Sequence, residues 1–429
     1  MRISGWDAAV LLAANAVAVT GLWWRQGGVS EVHDLAGALT SASRLTGLLG
    51  ALLALVMLLL LARVPVLDGL PLDRVAAWHR RTGVSCLALL VAHTLLVTAG
   101  YALQDRARVL HEAGELLGDY SGVLPATVGL GLLVAVTLTS ARAVRRRIGR
   151  RAWHAVHLTA YLAVALAFSH QLATGHEFAR QPVARAYWWA LYGCVAAAIV
   201  YVRVLRPVAR SLRHGLVVHA VREEAPGVVS VEVAGRRLER LRVRSGQFLY
   251  WRFLAPGLWW QARPYSLSRA PDGRTLRITV RDRTGRLAAL RPGTRVIAEG
   301  PAGGLTEAAR RRPGVAMIAG GVGIAPIRAL LEDLPGEDIA VVYRAGGEVL
   351  FRAELDELAR RRGAALHYVL GDRAGDGALS PERLRALVPD IAERDVFVCG
   401  PPSLTAATRA SLRGAGVPGR QIVSEGFGR

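Results

Sequence analysis

Four histidines are the residues most able to do chemistry in this chain. His79 and His93 lie in one apolar segment and His157 and His170 in another, 14 and 13 residues apart. Histidine is costly inside a bilayer, and where it occurs it is usually functional. A lone membrane histidine serves as often as a helix–helix hydrogen bond. Two matched pairs, on two helices of equal orientation, point instead to ligands. At 1.5 Å per residue, 14 residues separate two levels by ~21 Å, most of a ~30 Å hydrocarbon core. Each level offers two imidazoles, enough for both axial positions of a haem iron. The expectation is two haems, one above the other, with His79 paired to His157 and His93 to His170. His154 competes with His157, and the better match of spacing favours His157. One demand follows. At ~100° per residue, 14 residues return within ~40° of the same face, whereas 13 land ~140° away. The second helix must tilt, distort or approach its two haems from different sides.

The elements that must position these histidines are apolar runs at 7–24, 45–62, 82–104, 121–141, 152–176 and 186–202. Most reach the ~17–25 residues that span a bilayer. After Arg206 such runs stop and the text becomes that of an α/β protein, so the boundary falls near residue 210. A cleaved leader is conceivable in residues 1–21, but a first membrane helix fits better. The net charge of +21 raises the question of a nucleic-acid partner. All 54 basic residues are arginine, a coding bias rather than a phosphate-binding pattern. Many sit where topology wants them: Arg63, Arg74, Arg80 and Arg81; Arg142, Arg145, Arg146, Arg147, Arg150 and Arg151; Arg203, Arg206, Arg210 and Arg213. The positive-inside rule makes these three stretches cytoplasmic. No nucleic acid is expected. The outer stretches hold Asp105, Glu112, Glu115 and Asp119, with His33, His111 and His176 solvated. Cys86, Cys194 and Cys399 suggest neither a disulfide framework nor a zinc site.

Residues 215–300 read as short strands at 216–222, 228–233, 247–253, 275–280 and 295–299, the pattern of a small antiparallel barrel. Within them runs Arg263-Pro264-Tyr265-Ser266-Leu267-Ser268. An Arg, an aromatic and a hydroxyl at alternate strand positions can meet a flavin's pyrophosphate, ring face and ring edge. The remainder alternates strands and helices, which implies a parallel sheet. Strand 315–319 runs into Gly320-Gly321-Val322-Gly323-Ile324-Ala325-Pro326. Glycines there bring backbone N–H groups against a pyrophosphate at a helix N-terminus, and Pro326 suits the first turn. Strand 339–343 ends at Arg344, which can accept a 2′-phosphate and so favours NADPH over NADH; Arg352 can assist. Strand 396–398 runs into Cys399-Gly400-Pro401-Pro402-Ser403.

In this order the motifs resemble the ferredoxin–NADP reductase family. With the membrane half, the chain resembles the NADPH oxidase and ferric reductase superfamily from about residue 40 onward. The resemblance implies a multidomain membrane protein. A six-helix transmembrane haem domain (1–210) is followed by an antiparallel β-barrel flavin domain (211–310) and an α/β parallel-sheet nicotinamide domain (311–429). It implies FAD, two b-type haems held by His79, His93, His157 and His170, and NADPH or NADH. Arg263, Pro264, Tyr265, Ser266 and Ser268 would serve the flavin. Gly320, Gly321, Gly323, Pro326, Arg344, Arg352, Gly400 and Pro401 would serve the dinucleotide. Cys399 would lie near the nicotinamide, Ser266 at the flavin edge, and Phe427 over the flavin. Electrons would cross the plasma membrane from cytoplasmic dehydrogenase domains to an outside acceptor, O2 or a ferric chelate. Two departures from the animal-type oxidases, Val97 one turn after His93 and Arg263 in place of His, lean towards a reductase. A dedicated superoxide-producing oxidase and a haem conduit to an extracytoplasmic protein are the alternatives.

Overall fold

The computed structural model describes residues 5–62, 72–175, 181–336, 338–371 and 377–426. It divides into two compact units, Met1–Leu205 and Arg206–Arg429.

The first unit is helical: α1 Gly5–Trp23, α2 Leu35–Leu61, α3 Leu72–Gln104, α4 Val109–Asp119, α5 Val123–Ser140, α6 Arg142–Thr174 and α7 Pro182–Val200. Six segments, from Trp6–Gly28 to Pro182–His214, are long and apolar enough to cross a membrane, which makes this a multi-pass membrane protein. All six expected spans are present. The short helix α4, in an outer stretch by the charge rule, was not foreseen. Asp34 caps α2 by accepting a 2.7 Å hydrogen bond from the Gly37 N–H. Helix α3 packs along α2, and α6 along α5, whereas α3 and α6 are not closely packed on each other. Two glycines make the first of these contacts and position the second. A Cβ at Gly47 would stand 2.8 Å from His93 Nδ1, so only glycine lets α3 bring that ring against α2. Gly122 precedes α5 at φ +84°, and a Cβ there would meet His170 Cα at 2.9 Å.

The second unit opens with α8 Arg206–His214, then β1 Val217–Ala225, β2 Val228–Ala234, β3 Phe248–Phe253, β4 Arg263–Ser266, β5 Thr275–Arg281 and β6 Val296–Ala302. These strands form two three-stranded antiparallel sheets, ordered β1-β2-β5 and β4-β3-β6. Single bridges, Val217 to Arg295 and Leu267 to Ile278, join the two sheets. One apolar core, including Leu249, Trp251, Leu267 and Ile278, fills the space between the sheets. Helix α8 is tied to β6, where the Ala298 N–H donates to Ser211 Oγ at 3.1 Å.

There follow β7 Val315–Gly320, α9 Ile324–Asp333, β8 Ile339–Ala345, α10 Arg352–Arg362, β9 Ala365–Leu370, α11 Pro381–Leu387, β10 Asp395–Gly400, α12 Pro402–Gly414 and β11 Ile422–Gly426. Their five strands make a parallel sheet in the order β11-β10-β7-β8-β9. Every residue of β7 and β10 is buried, as a strand covered on both faces requires, and this explains their unbroken apolar text. The chain leaves β7 towards β8 and β9, then returns to β10 on the other side. The boundary between β7 and β10 is therefore the topological switch point, where crevices open at the carboxyl ends of the strands.

Candidate functional site

In the membrane unit the four histidines meet in the expected pairs. The His79 and His157 rings face each other with centroids 6.0 Å apart and planes at 55°. His93 and His170 repeat this at 6.3 Å and 55°. Among the described residues, neither pair is joined by a ring-to-ring hydrogen bond. A metal between two imidazoles needs two bonds of ~2 Å plus ~1 Å from each nitrogen to its ring centre, or ~6 Å in all. Both pairs have that gap. Among the described residues, no group of three or more His, Cys, Asp or Glu could hold a metal ion. Two protein ligands are too few for zinc, but they suit an iron whose other four bonds come from a macrocycle. The residues present fit haem.

The two levels differ in their supporting groups. At the level of His93 and His170, the outer one by the charge rule, His93 Nδ1 donates to the Ser43 carbonyl at 2.8 Å. A carbonyl only accepts, so the proton is on Nδ1 and the Nε2 lone pair is free. Thr174 Oγ1 donates to the His170 carbonyl at 3.0 Å and accepts from His170 Nδ1 at 2.8 Å, fixing the same tautomer. At the other, inner level, His79 Nδ1 and His157 Nδ1 are both buried without a partner among the described residues. Instead Trp153 stacks on His157 at 4.9 Å, its Nε1 donating to Ser140 Oγ. His154 is exposed, and it is His157 whose ring faces His79. Helix α6 is regular from His157 to His170; its one non-helical residue is Gly149. Distortion is thus not how the 13-residue spacing is met. His33 and His111 are exposed, and His176 lies outside the described residues.

In the second unit β4 lies against β3, with Leu249 opposite Tyr265 and Phe248 opposite Ser266. Arg263 and Tyr265 share one face of the strand, and Pro264 is exposed. Ser266, one residue on, falls on the other face, which corrects the expected alternation of all three groups. Its Oγ is buried without a partner, the kind of orphan a bound flavin edge would satisfy. Burial pushes the Tyr265 hydroxyl up, against a hydrogen bond from Arg263, so it stays a neutral phenol. Trp251 Nε1 donates to the Tyr265 carbonyl at 3.0 Å and fixes the strand behind the ring. Ser268 has other work: it is fully buried, and its Oγ accepts from Thr279 Oγ1 at 2.8 Å.

At the switch point, Gly320 ends β7, Gly321 takes φ +55°, and α9 starts at Ile324 with Pro326 in its first turn. A Cβ at Gly323 would stand 2.3 Å from the Cys399 carbonyl, so the turn and the end of β10 touch through glycine. Gly400 continues β10, and Pro401 caps α12. Burial, then the Glu425 carboxyl, pushes the Cys399 thiol well above its ordinary range, so it is a neutral thiol rather than a nucleophile. Arg344 stands beside Gly320 in the sheet register. Arg352 is exposed and stacks on Tyr368, its guanidinium 5.3 Å from the ring centre. Phe427 lies outside the described residues. Glu425 was missed in the sequence. It pairs with Cys399 in the β10–β11 register, and its Oε1 accepts the Gly304 N–H at 2.7 Å. Burial raises its carboxyl above the usual range, while the Gly304 and Leu305 N–H groups pull it back.

Residues 46–168 match the family model described as "Ferric reductase like transmembrane component", and residues 317–410 that described as "Oxidoreductase NAD-binding domain". The chain therefore carries both components. It is similar to a flavohemoprotein of Pseudomonas putida, 32% identical over 185 residues, 39% of this chain and 47% of that protein. It is similar to NADH-cytochrome b5 reductase 1 of Ajellomyces capsulatus, 30% identical over 158 residues, 32% of this chain and 51% of that protein. The chain spans about half the length of these curated relatives. Among solved structures, it is similar to the FAD/NAD binding domain of a nitric oxide dioxygenase from Vibrio cholerae, 22% identical with a TM-score of 0.42, over 50% of this chain and 98% of that one.

Proposed function

We propose that this protein is a transmembrane NAD(P)H-dependent oxidoreductase that delivers electrons to an acceptor outside the cell membrane. In this reading 1–210 is the haem domain, 211–310 the flavin domain and 311–429 the nicotinamide domain, the last two cytoplasmic. One observation carries it: two histidine pairs on α3 and α6, each spaced to ligate one iron, share a chain with a dinucleotide turn at a sheet switch point. Bound FAD would take a hydride from NAD(P)H, and the two b-type haems would carry its electrons singly across the bilayer. The chain's own residues hold, orient and insulate. His79, His93, His157 and His170 would hold the two haem irons, and the hydrogen bonds to the Ser43 carbonyl and Thr174 keep the proton of His93 and His170 on Nδ1, leaving Nε2 free to bind. Tyr265 offers its ring to the isoalloxazine, Arg263 its charge to the pyrophosphate, and Ser266 its unpartnered hydroxyl to the ring edge. Gly320, Gly321 and Gly323 admit the dinucleotide pyrophosphate to the start of α9. Arg344, beside Gly320, favours the 2′-phosphate of NADPH. Cys399, with Glu425 beside it, would lie near the nicotinamide.

The acceptor is read as a ferric chelate rather than O2 alone, because Val97, one turn beyond His93, supplies no polar group at the outer level. Anaerobic NADPH should bleach the flavin of the FAD-loaded, detergent-purified protein and then reduce its haems. Faster reoxidation by a ferric chelate than by oxygen supports the reductase. Faster reoxidation by oxygen, with superoxide formed in proportion, favours the oxidase.

A further inference from the structure

Two buried arginines and two partly exposed glutamates gather where the antiparallel sheets meet the parallel-sheet part of the second unit. Arg277, on β5, donates to both Glu354 oxygens at 3.0 and 2.8 Å and to the Ser268 carbonyl at 3.2 Å. Arg328, on α9, donates to Glu354 Oε2 at 2.5 Å, to the Ser268 carbonyl at 3.0 Å and to Glu332 Oε2 at 2.7 Å. Glu332 also accepts the Ala270 N–H at 2.9 Å. Arg277 and Arg328 are 7% and 5% exposed, so these are desolvated charges. Phe351 helps aim Glu354. It sits at φ +58° before α10, unusual for a bulky side chain, with the Arg277 guanidinium 5.0 Å over its ring.

Both guanidinia converge on one backbone carbonyl, that of Ser268, two residues after the flavin-edge Ser266. Arg328 and Glu332 stand on the helix that begins at the dinucleotide turn. The strand end serving the flavin and the helix serving the pyrophosphate are thus bolted to each other through Ser268 and Glu354. Buried ion networks add little net stability against apolar replacements. With most donors bonded, as here apart from Arg277 Nε, they can hold one arrangement against near alternatives, and reacting groups misplaced by 1 Å lose ~100-fold in rate.

We infer that Arg277, Arg328 and Glu354 are positioning residues that set the distance and angle between nicotinamide and flavin. They act on the rate of hydride transfer and leave cofactor binding nearly untouched. The inference rests on the oxidoreductase reading above.

The test is anaerobic stopped-flow bleaching of flavin by NADPH in the full-length, FAD-loaded protein, comparing wild type with Arg328→Met, Glu354→Gln and Arg328→Lys. Expected is a limiting rate at least ~10-fold lower in Arg328→Met and Glu354→Gln. The half-saturating NADPH concentration should move less than about threefold, and FAD content should match wild type. Arg328→Lys, which keeps the charge, should recover part of the rate. If Arg328→Met fails to load FAD, Glu354→Gln, which keeps the shape but turns one of the two acceptor oxygens into an NH2 donor, decides by the same criterion. A limiting rate within about twofold of wild type, or a loss confined to half-saturation, overturns the positioning role alone. A wild-type flavin that NADPH does not bleach overturns the oxidoreductase reading, and this inference with it.

Discussion

The membrane unit and the second unit build their sites from opposite materials. In the first, four histidine side chains on two long helices make up the candidate site, and the backbone supplies only spacing and a few carbonyls. In the second, the dinucleotide turn is built from backbone: glycine contacts at Gly320 and Gly323, a positive φ at Gly321 and strand ends meeting at a switch point. Within a bilayer the backbone must bond to itself, so helices leave only side chains for chemistry. A parallel sheet ends in free N–H groups and helix N-termini, which suit phosphate without any charged side chain. Side-chain sites should fail when a ligand is removed, backbone sites when a side chain is added.

The largest effect expected follows from the first half of that contrast. His93→Leu or His170→Leu should remove the outer haem and cut NADPH-driven acceptor reduction beyond the ~10–100-fold typical of losing a supporting partner. Flavin bleaching should persist. Equal loss of flavin bleaching would show that the two units are not separable in this way. Gly323→Val tests the other half. Its side chain would meet the Cys399 carbonyl, so NADPH should no longer bleach the flavin, and stability should fall by ~1–3 kcal/mol. Haem content should stay at the wild-type value; a fall would break the contrast.

Support for the ligands sharpens it further. Thr174→Val removes the partner of His170 Nδ1, and haem affinity at the outer level should weaken ~10-fold or more, read by haem retention on dilution. The inner level, where His157 is held by Trp153 stacking, should be unaffected. The smallest effect concerns Glu425. Burial holds its carboxyl above the ordinary range, so its favourable contribution is present below the unfolded-state pKa and is lost as pH rises through the folded one. Glu425→Gln lacks this loss. Its stability relative to wild type should therefore increase as pH rises above the ordinary glutamate range, ~4, measured by thermal unfolding in detergent. A difference that stays constant over that rise would show that the carboxyl titrates normally.

Much of this was legible in the residues because the bilayer is a strict solvent. Uncharged runs and arginine-rich connections place six helices, and four histidines inside them stand out. The motifs of the second unit were legible because each is a local string at a strand end. What escaped depends on distant residues meeting. Glu425 reads as an ordinary polar residue until β11 is laid beside β10 and opposite Gly304. Arg277, Arg328, Glu332 and Glu354 span 77 residues and carry no local pattern in a chain so rich in arginine. Ser268 looked like part of the flavin motif, yet Thr279, 11 residues on, claims its hydroxyl. Helix α4 went unread because 11 residues of mixed polarity resemble a loop. The 13-residue spacing raised a geometric problem that only the regular course of α6 could narrow.

The most direct test of the central claim is haem stoichiometry. Purified protein would be scored for b-type haem per chain by reduced-minus-oxidised absorbance, beside His79→Leu and His170→Leu. The expected result is about two haems in the wild type and about one in each variant, because each substitution removes an axial ligand from a different level. Protein without haem, or a haem content unchanged in both variants, would contradict the assignment of the four histidines and the electron path built on it.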